Sequence, residues 1–486
     1  MDVSIKTLGD LRKQGYQSRS IKSELRENLI ENIQKGEASF TGIHGYDETV
    51  IPQLERAILS QHNINLLGLR GQAKTRLARL MVQLLDEYIP VIAGSEINDD
   101  PLMPISNFGK EQVALLGDKT PISWIHRDKR FYEKLATPDV TISDLIGDID
   151  PIKAANLKLS YADERVIHFG MIPRANRSIF VINELPDLQS RIQVALFNIL
   201  EEGDIQIRGF QLRLPLDLQF VFTANPEDYT NRGSIVTPLK DRIGSQILTH
   251  YPDSIKVAKT ITAQEAKLQD NRVCEIHIPE LAKDLVEQIG FEARDSEFVD
   301  SKSGISARMS ITAYENLLST AEHRCIASGS GSTSIRFADI LGMIPSIIGK
   351  VELVYEGEQE GAAFVAEKLI GSASKTLFDT YFPAIKKLKH EDDKDVYDDV
   401  LQWFFEQSAF ELMDDGTEKE YSEALNSIGA LDNLLTTFMP EAKAKDKLFI
   451  KEFVLWALVE YKKLNKKRIV KGFEFKDSYG AYLSNL

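Results

Sequence analysis

The sequence predicts an α/β fold, a parallel sheet flanked by helices, followed by a mostly helical second half. Three apolar runs carry that expectation, at residues 65–67, 178–182 and 218–222. Each is short, nearly continuous and ends at glycine or a polar side chain, as strands buried on both faces do. After the first run comes a stripe of helical period, Leu77, Leu80, Met81, Leu84, Leu85 and Tyr88, which predicts a helix packed on the sheet. Beyond Tyr251-Pro252 the pattern turns mostly helical.

At 486 residues the chain is too long for one core and is expected to hold two or three domains. With 43% hydrophobic and 27% charged residues it reads as an ordinary globular protein. Its formal net charge of −15 repels phosphate backbones, so nucleic acid is a poor default partner. Cys274 and Cys325 are the only cysteines, which excludes a disulfide framework and a cysteine-rich zinc module. The N-terminal Met-Asp-Val-Ser-Ile-Lys-Thr has no basic start followed by an apolar run. The best membrane candidate, residues 340–349, is about half the length of a span and is broken by Pro345. A cytoplasmic chain without a membrane span is the expectation.

The most informative stretch is Asn65-Leu66-Leu67-Gly68-Leu69-Arg70-Gly71-Gln72-Ala73-Lys74-Thr75-Arg76. An apolar strand breaks at glycines and gives way to Lys-Thr at the start of a helical stripe. This is the order of a phosphate-binding P-loop, Gly-x-x-x-x-Gly-Lys-[Ser/Thr], with Ala73 where the last glycine is usual. Gly68 and Gly71 let successive backbone N–H groups converge on an anion. Lys74 would reach the β- and γ-phosphates, and Thr75 would offer its hydroxyl to Mg²⁺.

The remaining elements extend the pattern. Residues 1–40 are polar and weakly helical. Gly42-Ile-His-Gly-Tyr46 leads into an amphipathic helix through Val50, Leu54, Ala57 and Ile58. The second apolar run ends in Asn183-Glu184, placing polar groups at the C-terminal edge of a parallel sheet, where phosphates bind. The third ends in Asn225-Pro226, and an asparagine there can hold an attacking water or a terminal phosphate. Asp241 and Arg242 form an acidic-basic pair before an apolar turn. Residues 188–202 carry Leu188, Ile192, Ala195, Leu196, Ile199 and Leu200 on one helical face, and residues 203–214 alternate around Gly209 as a β-hairpin would.

Taken together in this order, these elements resemble the AAA+ ATPases, and within them the clade of the magnesium chelatase ATPase subunit (subunit I) and the MoxR proteins. The resemblance spans about residues 40–345. It is strengthened by Phe169-Gly-Met-Ile-Pro-Arg-Ala-Asn176-Arg177-Ser178 ahead of the second strand, by the helix at 188–202 and by the hairpin at 203–214. The clade also implies an insert between the first two motifs, for which residues 138–161 are the candidate. The expected organisation is an N-terminal helical extension (1–40), an AAA+ α/β nucleotide-binding domain (41–252), an α-helical lid (253–349) and a mostly helical C-terminal domain (350–486).

The resemblance implies a role for each matching residue. Gly68, Gly71, Gln72, Ala73, Lys74, Thr75 and Arg76 would bind the phosphates of ATP or ADP. Thr75 directly, and Asn183 through water, would hold Mg²⁺, with Glu184 the general base. Asn225 would be sensor 1, Arg242 an arginine finger acting in a neighbour's site with Asp241 beside it, Arg177 a second interface arginine or a structural ion pair, and Arg308 sensor 2. The activity implied is that of an ATP-driven homo-oligomeric ring, a hexamer, which remodels a partner protein, often one with a von Willebrand A-type domain.

Two residues depart from the family pattern. Ala73 would cost little if its backbone is helical. Asn183 stands where an aspartate is usual and adds no charge, so slow hydrolysis or weak Mg²⁺ affinity is expected. This keeps open a nucleotide-gated scaffold. The second alternative, a DNA-associated regulator or helicase relative, is opposed by the net charge.

Overall fold

The computed structural model describes residues 2–160, 164–207, 213–226, 234–268, 272–385, 395–407 and 410–478. The chain divides into two compact units, residues 1–250 and 251–486.

The first unit is built on five parallel strands: β1 (Ile64–Leu67), β2 (Phe131–Leu135), β3 (Ser178–Asn183), β4 (Leu218–Ala224) and β5 (Ser245–Leu248). Their order across the sheet is β5-β1-β4-β3-β2. All three apolar runs read from the sequence are strands of this sheet. β1, β3 and β4 are buried along their whole length because helices cover both faces. The register puts Leu67 beside Ala224 and Phe222 beside Ile182, which brings the C-terminal ends of β1, β4 and β3 to one edge.

Helix α1 (Ile21–Lys35) and helix α2 (Val50–Leu59) pack Ile21, Leu25, Leu29, Val50 and Leu54 against the sheet residues Ile64, Val181 and Val221. Residues 1–40, expected as a separate extension, therefore share the core of the first unit. α1 also carries a buried ion pair. Arg130 Nη1 and Nη2 donate to Glu24 Oε1 and Oε2 at 2.7 Å each, with both side chains under 5% exposed.

The stripe after the loop forms less helix than its period suggests. Helix α3 spans only Lys74–Leu80; Met81–Leu84 tightens into a 3₁₀ turn, and Tyr88 begins a short strand. Polar groups of α1 capture the exit: Asn28 Nδ2 donates to Leu84 O (2.9 Å), and Asp86 N donates to Glu24 Oε1 (2.7 Å). The helix expected at 188–202 is likewise divided, into Ser190–Ala195 and Phe197–Glu201, where Leu196 N bonds three residues back to Gln193 O.

The long connection between the first two motifs holds two additions. One is an antiparallel pair, Tyr88–Ile92 with Ile122–His126, which the sequence reading did not foresee. The other is the foreseen insert, where Gly147–Ile149 pairs antiparallel with Ile167–Phe169. A Cβ on Gly147 would collide with His168 O, and its φ of +121° is open only to glycine. The hairpin exists as Asp204–Gln206 paired with Arg213–Pro215; its turn, including Gly209, lies outside the described residues.

The second unit packs α5 (Glu280–Asp295), α6 (Arg308–Ala327), α7 (Ala362–Tyr381) and α8 (Lys447–Glu460) on one apolar core, which includes Leu285, Leu317, Phe378 and Phe453. That core runs from Leu281 to Phe475 without a break at residue 349. The C-terminal part is not all helix: β6 (Phe410–Met413), β7 (Leu464–Ile469) and β8 (Gly472–Asp477) form an antiparallel sheet in the order β6-β8-β7. The basic cluster at 462–468 falls mostly on β7. Its alternation lays Lys466 over the Trp456 ring (3.9 Å) and Arg468 over Phe473 (4.4 Å), so these cations cover aromatic surface. The Ser-Gly stretch at 328–332 is tied by the thiols of Cys274 and Cys325, both donating to Ser330 O.

Two outcomes follow for the first unit. Arg130→Ala leaves the Glu24 carboxylate buried without its cation and should cost roughly 3–5 kcal/mol in urea unfolding of the full chain. At the end of α1, Ile21 N donates to Asp217 Oδ2 (2.7 Å), and burial pushes the Asp217 carboxyl up to about 6. Because the folded value lies above the unfolded one near 3.9, the folded state binds the proton more tightly. The stability this group contributes is full below about pH 4 and is lost as pH rises through about 6. Asp217→Asn, which keeps an acceptor for Ile21, should therefore gain thermal stability over wild type steadily between pH 4 and 7. A constant difference between the two would refute this.

Candidate functional site

The site forms where the C-terminal ends of β1, β4 and β3 meet. β1 runs into Gly68, whose N–H bonds Ala224 O (3.1 Å), fixing the loop to β4. A Cβ at Gly68 would overlap Thr249 Oγ1 and Gln72 Oε1, two atoms that bond each other at 2.7 Å, so only glycine fits. Gly71 has φ +75°. Ala73 has φ +54°, ψ +17°, the left-handed region, so the condition under which its methyl would cost little is not met. The methyl therefore sits on a strained backbone, costing roughly 1–2 kcal/mol. Tyr46 OH donates to Gln72 O (3.0 Å), which ties the Gly42–Tyr46 turn to the loop, and Arg76 is half-buried on the first turn of α3.

Lys74 is 7% exposed, with Nζ within 2.5 Å of Gly68 O, 3.0 Å of Leu69 O and 2.7 Å of Asn225 Oδ1. Asn225, at the end of β4, uses its other end to donate from Nδ2 to Glu184 Oε2 (2.8 Å). Glu184 follows β3 with φ +54°, a second non-glycine residue in the left-handed region, and its N–H bonds Thr223 Oγ1 (3.2 Å). Lysine, asparagine and glutamate thus form one connected line.

A second line runs beside it. Thr75 Oγ1 (3.3 Å) and Thr223 Oγ1 (3.1 Å) both donate to Asn183 Oδ1, while Asn183 Nδ2 donates to Glu133 Oε1 (2.6 Å). Glu133 lies on β2 and also takes Arg79 Nη2 at 2.7 Å. Neither Thr223 nor Glu133 was marked from the sequence. Thr223 was within reach, standing two residues before Asn225 on the same strand. Glu133 lies 50 residues before Asn183 and gave no signal.

The arginines divide. Arg177, with φ +61°, is buried: Nη1 donates to Pro90 O (2.8 Å), and Nη2 reaches Tyr16 OH (3.1 Å) and Asp100 (3.3 Å). Of its two sequence readings, the structural ion pair is the one present. Arg242 ends helix α4 (Thr237–Arg242), donating to Glu201 Oε2 (2.7 Å from Nε) and Pro238 O, with its guanidinium 5.1 Å from the Phe197 ring centre. Asp241 beside it is exposed. Arg308 lies in the second unit as the first residue of α6; its N–H bonds Ser306 Oγ (3.2 Å), while Ala307 holds the N-cap position without a side-chain cap.

The donor chemistry at the loop fits a nucleotide with Mg²⁺. A buried ammonium and a glycine-kinked loop suit phosphates, and a threonine hydroxyl with neighbouring carboxylates suits a hard cation that favours oxygen. Among the described residues no group of three or more histidine, cysteine or acidic side chains forms a separate metal cluster. Nor, among the described residues, is any helix long and apolar enough to cross a membrane.

Sheet order, loop and strand-end residues define the class: an AAA+ P-loop fold, α/β with a helical region following. Residues 122–243, about a quarter of the chain, match the AAA domain of the dynein-related subfamily. This range includes Asn183, Glu184, Asn225 and Arg242 and starts after the loop. The family match agrees with the resemblance read from the sequence. Similar solved structures include a candidate ATPase from Cytophaga hutchinsonii, 17% identical, covering 74% of this chain and 97% of that one, TM-score 0.29. Another is magnesium chelatase in the complex of its subunits BchI and BchD, with 17% identity, 66% and 98% coverage and TM-score 0.35. A third is RuvB of Thermotoga maritima, with 13% identity, 96% and 93% coverage and TM-score 0.33.

The left-handed backbone at Ala73 gives a direct check. Ala73→Gly should raise the urea midpoint by the equivalent of about 1 kcal/mol, whereas Ala73→Val should lower it. A glycine variant less stable than wild type would contradict the strain assigned here.

Proposed function

We infer that the chain binds ATP with Mg²⁺ at the loop and hydrolyses it as a subunit of a homo-oligomeric AAA+ ring. The observation that carries this reading is the line Lys74–Asn225–Glu184, in which one amide links a phosphate-binding ammonium to a carboxylate. Lys74 exchanges its loop carbonyls for phosphate oxygens, and Thr75 offers its hydroxyl oxygen to the cation. Bound Mg²⁺ supplies charge neutralisation on the phosphates. Glu184, oriented by Asn225, holds the attacking water and takes its proton as the water oxygen bonds to the γ-phosphorus and ADP leaves.

Arg242 completes a neighbouring subunit's site in this reading, leaving Glu201 to do so, with Asp241 at the same interface. Arg308 acts as sensor 2 on the chain's own nucleotide. The ring, a hexamer by resemblance to the magnesium chelatase and MoxR clade, remodels a partner protein, with a von Willebrand A-type domain the partner class that resemblance favours. A cytoplasmic setting goes with this role. Asn183 supports a second reading, a nucleotide-gated scaffold with weak turnover.

Mg²⁺-dependent ATP turnover against protein concentration separates the two. A ring enzyme shows specific activity rising with concentration, loss of nucleotide binding in Lys74→Ala, and binding without turnover in Glu184→Gln. Arg242→Ala should lose 10³-fold or more, with activity partly restored on mixing with Glu184→Gln, since each variant supplies what the other lacks. Tight ATP binding without turnover at any concentration would leave the scaffold reading.

A further inference from the structure

The charge that Asn183 lacks stands one strand away. β2 pairs with β3 in parallel, with Glu133 opposite Val181 and Leu135 opposite Asn183, and the Glu133 side chain reaches the Asn183 amide at 2.6 Å. We propose that Glu133 is a positioning carboxylate of the phosphate site: it supplies, through the Asn183 amide, the negative charge that an aspartate at 183 would supply directly. The proposal rests on the reading of the loop as a Mg²⁺–nucleotide site.

The orientation of the amide follows from hydrogen-bond chemistry. An ionised carboxylate only accepts, so Nδ2 must face Glu133, and Oδ1 is left to face the hydroxyls of Thr75 and Thr223. The Thr75 proton is thereby directed to Asn183, which leaves the hydroxyl lone pairs for a cation. A charged acceptor on the far side of an amide strengthens the acceptor on its near side. An aspartate at 183 would instead set two carboxylates about 2.6 Å apart, an arrangement that drives one of them to protonate. Asn183 and Glu133 are therefore one arrangement, in which a single charge is kept and moved to the neighbouring strand.

The Arg79 ion pair does not account for Glu133. Arg79 is 63% exposed and binds Oε2, leaving Oε1 to Asn183. Exposed pairs of this kind contribute little to stability.

The test is a Mg²⁺ titration of the full chain saturated with a fluorescent ADP analogue, repeated with Mn²⁺ and read by electron paramagnetic resonance of the bound ion. Glu133→Gln keeps the acceptor and removes the charge. It should raise the metal midpoint about tenfold, with metal-free ADP affinity and melting temperature as in wild type. Arg79→Gln should leave the metal midpoint in place. Glu133→Gln/Asn183→Asp, which returns a charge at 183, should recover most of the loss. The proposal is overturned by an unshifted midpoint in Glu133→Gln, by an equal shift in Arg79→Gln, or by a double variant no better than the single. A wild-type chain that binds no ADP analogue overturns the nucleotide reading itself, and is distinct from any of these.

Discussion

The site depends on one amide. Asn225 accepts from Lys74 and donates to Glu184, and it can do so only because β4 lies between β1 and β3. The loop follows β1, the glutamate follows β3, and the end of β4 is the one place in the sheet adjacent to both. Parallel strands set their C-terminal ends at one edge, so three residues from positions 74, 184 and 225 meet without any local sequence contact. Backbone bonds hold the geometry from beneath: Gly68 N–H to Ala224 O and Glu184 N–H to Thr223 Oγ1 fix the loop and the turn after β3 to the same strand.

That precision is matched by strain at the same edge. Ala73 and Glu184 are both non-glycine residues in the left-handed region, one on each side of Asn225. Each costs roughly 1–2 kcal/mol that packing elsewhere must offset. The offset is visible in the cover around β1, β3 and β4, whose residues are buried throughout, and in the N-terminal helices that close that cover through Ile21, Leu25 and Leu29. Residues 1–40 matter to the site in this sense. They supply Asn28 and Glu24, whose bonds meet the chain where the helical run after the loop ends, and Glu24 also binds Arg130 just before β2.

What was legible in the sequence was what repeats locally. Strands buried on both faces show as apolar runs, and the loop shows as glycine spacing, so β1, β3, β4 and the residues at their ends were found. β2 escaped because Phe131-Tyr-Glu-Lys-Leu135, at the sheet edge, sets two charged residues side by side and so is neither an apolar run nor an alternation, and Glu133 escaped with it. The helical stripe over 77–88 overstated its helix because leucine period cannot reveal that Asn28 and Glu24 wait at its end. The cost at Ala73 was out of reach for a similar reason, since one methyl in a loop carries no sign of its φ. In the second unit, aromatic and apolar residues at 410–413 and 473–475 are also found in helices, so only pairing exposed the sheet.

The departure from the family pattern at Asn183 gains an account at this edge. Substituting asparagine for aspartate removes a charge from β3, yet the carboxylate of Glu133 closes on the same amide from β2. The number of charges near Thr75 is thus conserved while their position shifts by one strand. The shift also changes what the carboxylate touches. A carboxylate on β3 would face the threonine directly, whereas Glu133 shares its oxygens between Asn183 and Arg79, which projects from α3 behind the loop. Oε1 goes to Asn183 and Oε2 to the exposed Arg79, so the amide contact and the ion pair use different oxygens of Glu133. Asn183 therefore keeps its acceptor turned to the Thr75 hydroxyl whether or not Arg79 is engaged, and the charge behind the amide stays with β2 rather than with the helix that follows the loop.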